Sequence, residues 1–355
     1  MRVSRAVRVG PYTIGGGAPV TVQSMTNVPS TDFDAAAAQI RTLAEAGCDI
    51  VRLAVPDEAS AGVFADMRRR GITVPLVADI HFDYKLALAS VKSGASKIRI
   101  NPGNIGEEWK VREVAAACKD AGIPIRIGVN GGSLRKDLLQ KYGSPTPDAL
   151  VESALCEAEL LEKVGFSDIV ISMKTSSVQD TIATYRKAAE ACPYPLHLGV
   201  TEAGDEYSGL IKNAIGIGSL LADGIGDTLR VSLTADCTKE VEAGREILRV
   251  LNLDPRGGVE IVSCPTCGRT KIDLISLAAR FKNAVRDIDT RGKRVKVAVM
   301  GCVVNGPGEA READFGIAGG DGFAVLFRRG ETVCRVEESD IIEVLLRETY
   351  AFLNE

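Results

Sequence analysis

No stretch of this sequence approaches the roughly 20 consecutive apolar residues that a membrane helix needs, which argues against a helical span. The opening MRVSRAVRVG is charged and alternating and has no apolar segment of the signal-peptide kind. A surplus of positive charge is also missing. The formal net charge is −4, so no overall field draws the chain to nucleic acid or to an acidic membrane surface. Low-complexity tracts are absent. Nine cysteines are present, an odd number without the spacing of a small disulfide scaffold, and a reducing cytoplasm is the expected compartment.

What the chain does have is length and rhythm. At 355 residues, 45% hydrophobic and 25% charged, it is an ordinary globular composition too long for one core, which favours a large domain plus a smaller one. From residue 20 to about 235 one unit repeats: a short β-branched run, a polar loop, a helical stretch. Eight runs qualify as strands, at 19–25, 49–55, 74–81, 97–101, 123–129, 168–174, 195–201 and 228–234. Eight such units predict an α/β fold, a parallel (β/α)8 TIM-like barrel over 1–254, with VRVGPYTIGGG as a hairpin plugging its floor. LDPRGGVE supplies Pro/Gly punctuation and reads as the linker. The rhythm then changes, predicting a small α+β domain over 259–355.

Strand C-terminal ends face the active site of such a barrel, so polar residues there carry information. Arg52, Arg99, Arg126, Lys174 and Arg230 sit on or just after strands two, four, five, six and eight. Any one of them can snorkel outward or pair with a carboxylate. All five together call for a multiply charged anion, since two cations roughly 7 Å apart repel by about 2 kcal/mol at an effective dielectric near 20. Arginine offers forked geometry for phosphate oxygens, and the Gly-rich turn GVNGGSLR adds backbone N–H groups. Asp79 and His81 end strand three, while His197 and Glu202 bracket the end of strand seven. Glu202 is expected to face the pocket as a proton donor, or else to pair with an arginine. IGIGSLLADGIG resembles a phosphate loop but falls in a helical stretch towards the floor, where small residues serve packing.

The second domain opens with SCPTCGRT. Cys264 and Cys267 in C-x-x-C spacing make half of a four-point site. Cys302 follows a predicted strand, and the turn residues NGPG after it can bring Glu309 back towards it. Three thiolates and a carboxylate suit a 4Fe-4S cluster better than zinc. Cys334 competes for the fourth position, although its alternation with Val336 reads as a core-facing strand residue. Cys118 reads as helix packing, and Cys237 as a helix start near the mouth. A thioredoxin-like role for the C-x-x-C pair does not fit the surrounding topology.

Together CPTCGRT, GCVVNGPGEA, HLGVTEAG, ADIHF, KIRINPGN and GIGSLLADGIGDTLRVSLT resemble the 4-hydroxy-3-methylbut-2-enyl diphosphate synthase family, in its compact bacterial form and over essentially the whole chain. The resemblance implies an iron–sulfur oxidoreductase of the methylerythritol phosphate route, reducing 2-C-methyl-D-erythritol 2,4-cyclodiphosphate with electrons from flavodoxin or ferredoxin. It implies a 4Fe-4S cluster on Cys264, Cys267, Cys302 and Glu309, with Glu202 assisting proton transfer. Arg52, Asp79, His81, Arg99, Asn101, Arg126, Asn130, Lys174, His197, Arg230 and Asn305 are the expected substrate contacts. A homodimer is implied too, the cluster domain of one chain capping its partner's barrel. Two other readings stand beside it. One is a barrel methyltransferase or pterin-type synthase with a zinc-stabilised appendage, and the other is an electron-transfer module that leaves the mouth idle.

Overall fold

The computed structural model describes residues 2–286, 288–303 and 310–355. The chain divides into two compact units, Met1–Asp254 and Pro255–Glu355.

The first unit begins with an antiparallel hairpin, β1 (Val7–Val9) and β2 (Tyr12–Ile14). Eight parallel strands follow among the described residues: β3 (Thr21–Met25), β4 (Ile50–Ala54), β5 (Leu76–Asp79), β6 (Lys97–Ile100), β7 (Ile125–Asn130), β8 (Ile169–Lys174), β9 (His197–Leu198) and β10 (Thr228–Leu229). Their order is β8-β7-β6-β5-β4-β3-β10-β9. The parallel bridge between Ile171 and Leu196 joins the two outer members, so the sheet closes into a barrel. Val9 and Ile14 of the hairpin pack with Ile50 and Val77, sealing the floor with apolar side chains.

Helices alternate with the strands and begin at the mouth. Several are capped there by an aspartate whose carboxylate accepts a backbone N–H, as Asp83, Asp205 and Asp236 do for the helices Tyr84–Ser93, Glu206–Ala222 and Cys237–Val250. IGIG lies inside the Glu206–Ala222 helix, as packing predicts. A Cβ at Gly216 would stand 2.7 Å from Val200, so only glycine lets this helix approach the barrel so closely. Cys118 is fully buried in the core, and Cys237 is buried at its helix start.

The second unit is a five-stranded sheet in chain order: β11 (Gly258–Ser263), β12 (Arg294–Met300), β13 (Phe315–Gly319), β14 (Phe323–Arg328) and β15 (Glu331–Glu337). The first three are parallel, and the last three form an antiparallel meander. Helices Leu274–Val285 and Ile341–Asn354 share a core with one face of the sheet through Phe281, Val297, Ile317 and Leu345. Strand β13 was not foreseen from the sequence. FGIAG is short and glycine-rich, and a Cβ at Gly316 would meet the Ala298 carbonyl oxygen at 2.4 Å. The small residue is there for close strand approach.

Candidate active site

Side chains alternate across each strand. Val51, Leu53, Ile98, Ile100, Ile125 and Ile127 pack outward against the helices. The other parity therefore turns Arg52, Lys97, Arg99 and Arg126 into the barrel. Barrel interiors are usually filled by branched apolar residues; this one is filled by cations. Two glycines make room for them. A Cβ at Gly128 would lie 2.3 Å from Arg99 Nε, and one at Gly199 would lie 2.6 Å from Lys174 Nζ.

At the strands' C-terminal ends a cleft of about 120 Å³ gathers Arg52, Asp79, His81, Arg99, Arg126, Asn130, Lys174 and Arg230. Eight of the expected substrate contacts are thus brought together. Ser172, Thr201 and Ser232 also line it and went unnoticed in the sequence, although each lies two positions from a residue already singled out or on the same parity. A larger cleft of about 420 Å³ lies in the second unit, among Asp314, Arg328, Glu331 and Glu348. Its Arg328 already pairs with Glu348 at 2.7 Å, and it gathers none of the candidate residues.

Within the mouth, two carboxylates answer five cations. Asp79 Oδ1 accepts from Arg99 Nη1 at 3.1 Å, and its Oδ2 lies 3.6 Å from Arg52 Nε. Arg230 is held in a forked pair by Glu240, at 3.1 and 3.3 Å, so for this residue the paired reading holds alongside its place in the cleft. Among the described residues Arg126 and Lys174 make no ion pair. Burial, and then the neighbouring cations, pull both well below their ordinary pKa values: Arg52 and Arg99 around Arg126, Arg230 and Arg126 around Lys174. Five cations against two carboxylates leave an excess of three, the electrostatics of a site built for an anion carrying more than one charge.

Asp79 holds the cluster together. Burial alone would raise its pKa, but Arg52, Arg99 and Arg126 outweigh that and hold it at about 2. A depressed carboxylate stabilises the fold above about pH 4, and this contribution disappears as pH falls through the folded value, a difference of about 2 kcal/mol. Asp79→Asn is expected to lower stability at neutral pH by about that amount and to flatten the acid limb. Chemical denaturation between pH 2 and pH 7 (roughly the range over which carboxylates titrate) measures it. An unchanged acid limb would remove Asp79 from this role.

Two expected contacts and the expected proton donor stand elsewhere. Asn101 is buried on the inward parity of β6 but does not line the cleft. His197 was expected on the rim, and the structure corrects this. Strand β9 is only two residues long and His197 begins it, in register with Thr228, so the ring sits fully buried below the mouth. Burial and the cations above push its pKa well down, and the ring is neutral. Glu202 was expected to face the pocket. It is instead exposed, in the left-handed region at φ 52°, while its neighbours Val200 and Thr201 line the cleft.

In the second unit the cysteines gather at one end of the sheet. Cys264 follows β11, Cys302 follows β12, and the two strands run parallel with Ser263 opposite Val299. The Gly301 N–H donates to Cys264 Sγ at 3.3 Å. Cys267 has its pKa lowered by the Arg269 backbone N–H and side chain, which favours thiolate. Among the described residues no three such side chains converge tightly enough for a single metal ion. A four-iron cluster takes more widely spaced thiolates than one tetrahedral ion does. Glu309 and Asn305 lie outside the described residues. Cys334 keeps regular register with Leu326 yet proves exposed, because β15 is the edge strand of the sheet and only Val336 on it is buried. That edge is the far one from β11 and β12.

Two family models match this chain: the GcpE TIM-barrel domain over residues 4–245 and the GcpE protein C-terminal domain over 260–351. The chain belongs to the GcpE family.

Curated relatives match it end to end. The 4-hydroxy-3-methylbut-2-en-1-yl diphosphate synthase (flavodoxin) of Caldanaerobacter subterraneus subsp. tengcongensis is 55% identical, covering 100% of this chain and 98% of its own. The enzymes of the same name from Clostridium perfringens and Bacillus subtilis are 56% and 53% identical, each covering 97% of this chain and 97% and 90% of their own. Among solved structures, a dihydropteroate synthase from Xanthomonas albilineans superposes with a TM-score of 0.51 at 16% identity, over 70% of this GcpE chain and 98% of that one. A type I 3-dehydroquinate dehydratase from Clostridium difficile gives 0.51 at 14% identity, with the same coverage. At that identity the likeness is one of fold, the barrel.

Proposed function

We propose that this chain is a flavodoxin-dependent 4-hydroxy-3-methylbut-2-enyl diphosphate synthase, an iron–sulfur oxidoreductase of isoprenoid precursor synthesis. Its substrate would be 2-C-methyl-D-erythritol 2,4-cyclodiphosphate. The observation that carries the reading is the mouth itself: a charge excess of three, with forked donors and small hydroxyls, in a chain that matches synthases of this name along its whole length. Arg52, Arg99, Arg126 and Lys174 would hold the diphosphate oxygens, with Asn130 and the serines completing the cradle. A flat heterocycle, as in a pterin-type reading, has no use for such charge.

The donor set at Cys264, Cys267, Cys302 and Glu309 suits a 4Fe-4S cluster. The N–H bond to Cys264 Sγ and the lowered pKa of Cys267 are the two features that support thiolate ligation. Bound there, such a cluster would supply low-potential electrons singly and one iron with an exchangeable ligand. The barrel residues bind the anion, orient the ring and keep water out.

A homodimer completes the reading. Tyr207, Leu210, Ile211 and Ile215 leave an exposed apolar stripe on the Glu206–Ala222 helix, which favours a second copy over a lone chain. The described helices include none long and apolar enough to cross a membrane, and a cytoplasmic enzyme fits the resemblance. Anaerobic reconstitution with iron and sulfide, then turnover of the cyclodiphosphate with reduced flavodoxin, tests the whole proposal. A colourless zinc protein without turnover would overturn it.

Glu202 would give the proton that ring opening and loss of water demand. Its backbone is left-handed and its side chain is exposed beside the cleft residue Thr201. Glu202→Gln is expected to cut kcat by about 100-fold or more, the size of a general-acid contribution, while KM moves little. Near wild-type kcat would make it a bystander.

A further inference from the structure

Below the mouth the barrel keeps polar groups that no described side chain satisfies. Lys97 is fully buried and its Nζ has no hydrogen-bond partner. The same holds for both ring nitrogens of His197, for the side-chain amide of Gln23, and for Nε and Nη1 of Arg126, which also lines the cleft above. Lys97 lies two positions before Arg99 on the inward parity of β6, opposite Val77 of the apolar floor. It is thus one layer beneath the anion cleft.

An ammonium there has cations overhead and no carboxylate to itself. Arg52 on β4 and Arg126 on β7 act on it directly, and neutral His197 on β9 lies within reach of both Lys97 and Lys174. Asp79 on β5 is shared by Arg52 and Arg99, and Arg230 on β10 is paired to Glu240. Burial first, then Arg126 and Arg52, pull the Lys97 pKa well below its ordinary value, which favours the uncharged amine. The bound cyclodiphosphate, with one negative charge on each phosphate, offsets two of the three excess positive charges above, so a protonated lysine one layer below is opposed far less.

We propose that Lys97 is a positioning residue that takes up a proton from solvent when a diphosphate fills the mouth and, once charged, supports the bound anion from below. The proposal rests on the diphosphate reading of the cleft. It gives the site an affinity that tracks pH. Because the bound state holds the extra proton, binding is strongest at low pH and weakens as pH rises through the pKa of Lys97 in the complex.

The cyclodiphosphate suits the test, since each of its phosphates is esterified and has no proton to exchange near neutral pH. Oxidised, cluster-loaded protein is titrated with it calorimetrically, without reductant, at about pH 8, where an ordinary histidine is already neutral and an ordinary lysine already charged. Repeating this in two buffers of different ionisation enthalpy gives the protons taken up. The wild type is expected to take up about one proton per site. Lys97→Met and Lys97→Gln are expected to take up none and to bind at least tenfold more weakly, with an affinity that no longer falls with pH. Uptake that persists in both variants, or that vanishes only in His197→Gln, overturns the assignment to Lys97. Wild-type binding without uptake overturns it as well. Absence of any wild-type binding overturns the diphosphate reading, and the proposal with it.

Discussion

Serine in place of Cys302 is expected to give pale protein with little iron and no turnover. The residue follows β12, beside the Cys264 and Cys267 loop that follows β11. A hydroxyl there is a harder and far less acidic donor than a thiol, poorly matched to iron–sulfur centres. The loss should be nearly complete, because a cluster held at three corners by thiolates cannot spare one of them. Glu309→Cys should behave in the opposite way: the cluster survives on four thiolates, and turnover falls because the exchangeable ligand is gone. Iron and sulfide content, electron paramagnetic resonance of the reduced protein and activity, measured on one preparation, separate the two variants. Full activity in Glu309→Cys would sink the open-iron reading. Loss of the cluster in Cys334→Ser would move the fourth ligand there, against the exposed, far-edge position of that residue.

Arg126→Met is expected to move stability and binding in opposite directions. This guanidinium is 1% exposed, has two unbonded nitrogens and stands among cations. A charge buried without a partner costs stability, and an apolar side chain of similar length removes that cost. Replacing buried ionic groups by well-packed apolar ones often stabilises by about 1–4 kcal/mol. The same change would delete the proposed charge-assisted contact to the diphosphate, about 1.5–3 kcal/mol, or roughly ten- to over a hundredfold in affinity. Thermal melts with and without ligand, together with calorimetric Kd values, read both effects. A variant that melts lower without ligand and binds normally would make Arg126 a structural residue. The expected pattern is that of a site holding electrostatic strain for its ligand.

Much of the barrel could be read directly. Each of the eight β-branched runs contains a strand, because parallel strands buried on both faces need continuous apolar residues on one parity whatever the interior holds. The cations were legible for the same reason: Arg99 and Arg126 interrupt KIRIN and IRIGV at positions where a charge has no place in an ordinary core. Lys97 stands in the same motif, away from the strand's C-terminal end. The i, i+2 spacing to Arg99 was the available signal. His197 was misplaced because strand seven reads as seven residues and forms two, and depth in a barrel depends on where pairing starts. Cys334 does share parity with Val336, but alternation says which face a residue takes and not whether that face is covered at the sheet's edge.

Alternation, turn chemistry and cysteine spacing are local properties of the chain. By themselves they determined the barrel, the cationic strands, the change of rhythm near Pro255 and the half-site at Cys264 and Cys267. Which charges neutralise one another is not local. Asp79 bridges Arg52 and Arg99, and Glu240 takes Arg230, only because parallel pairing sets β4, β5 and β6 side by side and the helix after β10 folds back on it. The tertiary structure alone therefore decided that Arg126, Lys174 and Lys97 remain without a carboxylate among the described residues, since Coulomb energy and burial depend on distance in space and not on distance along the chain.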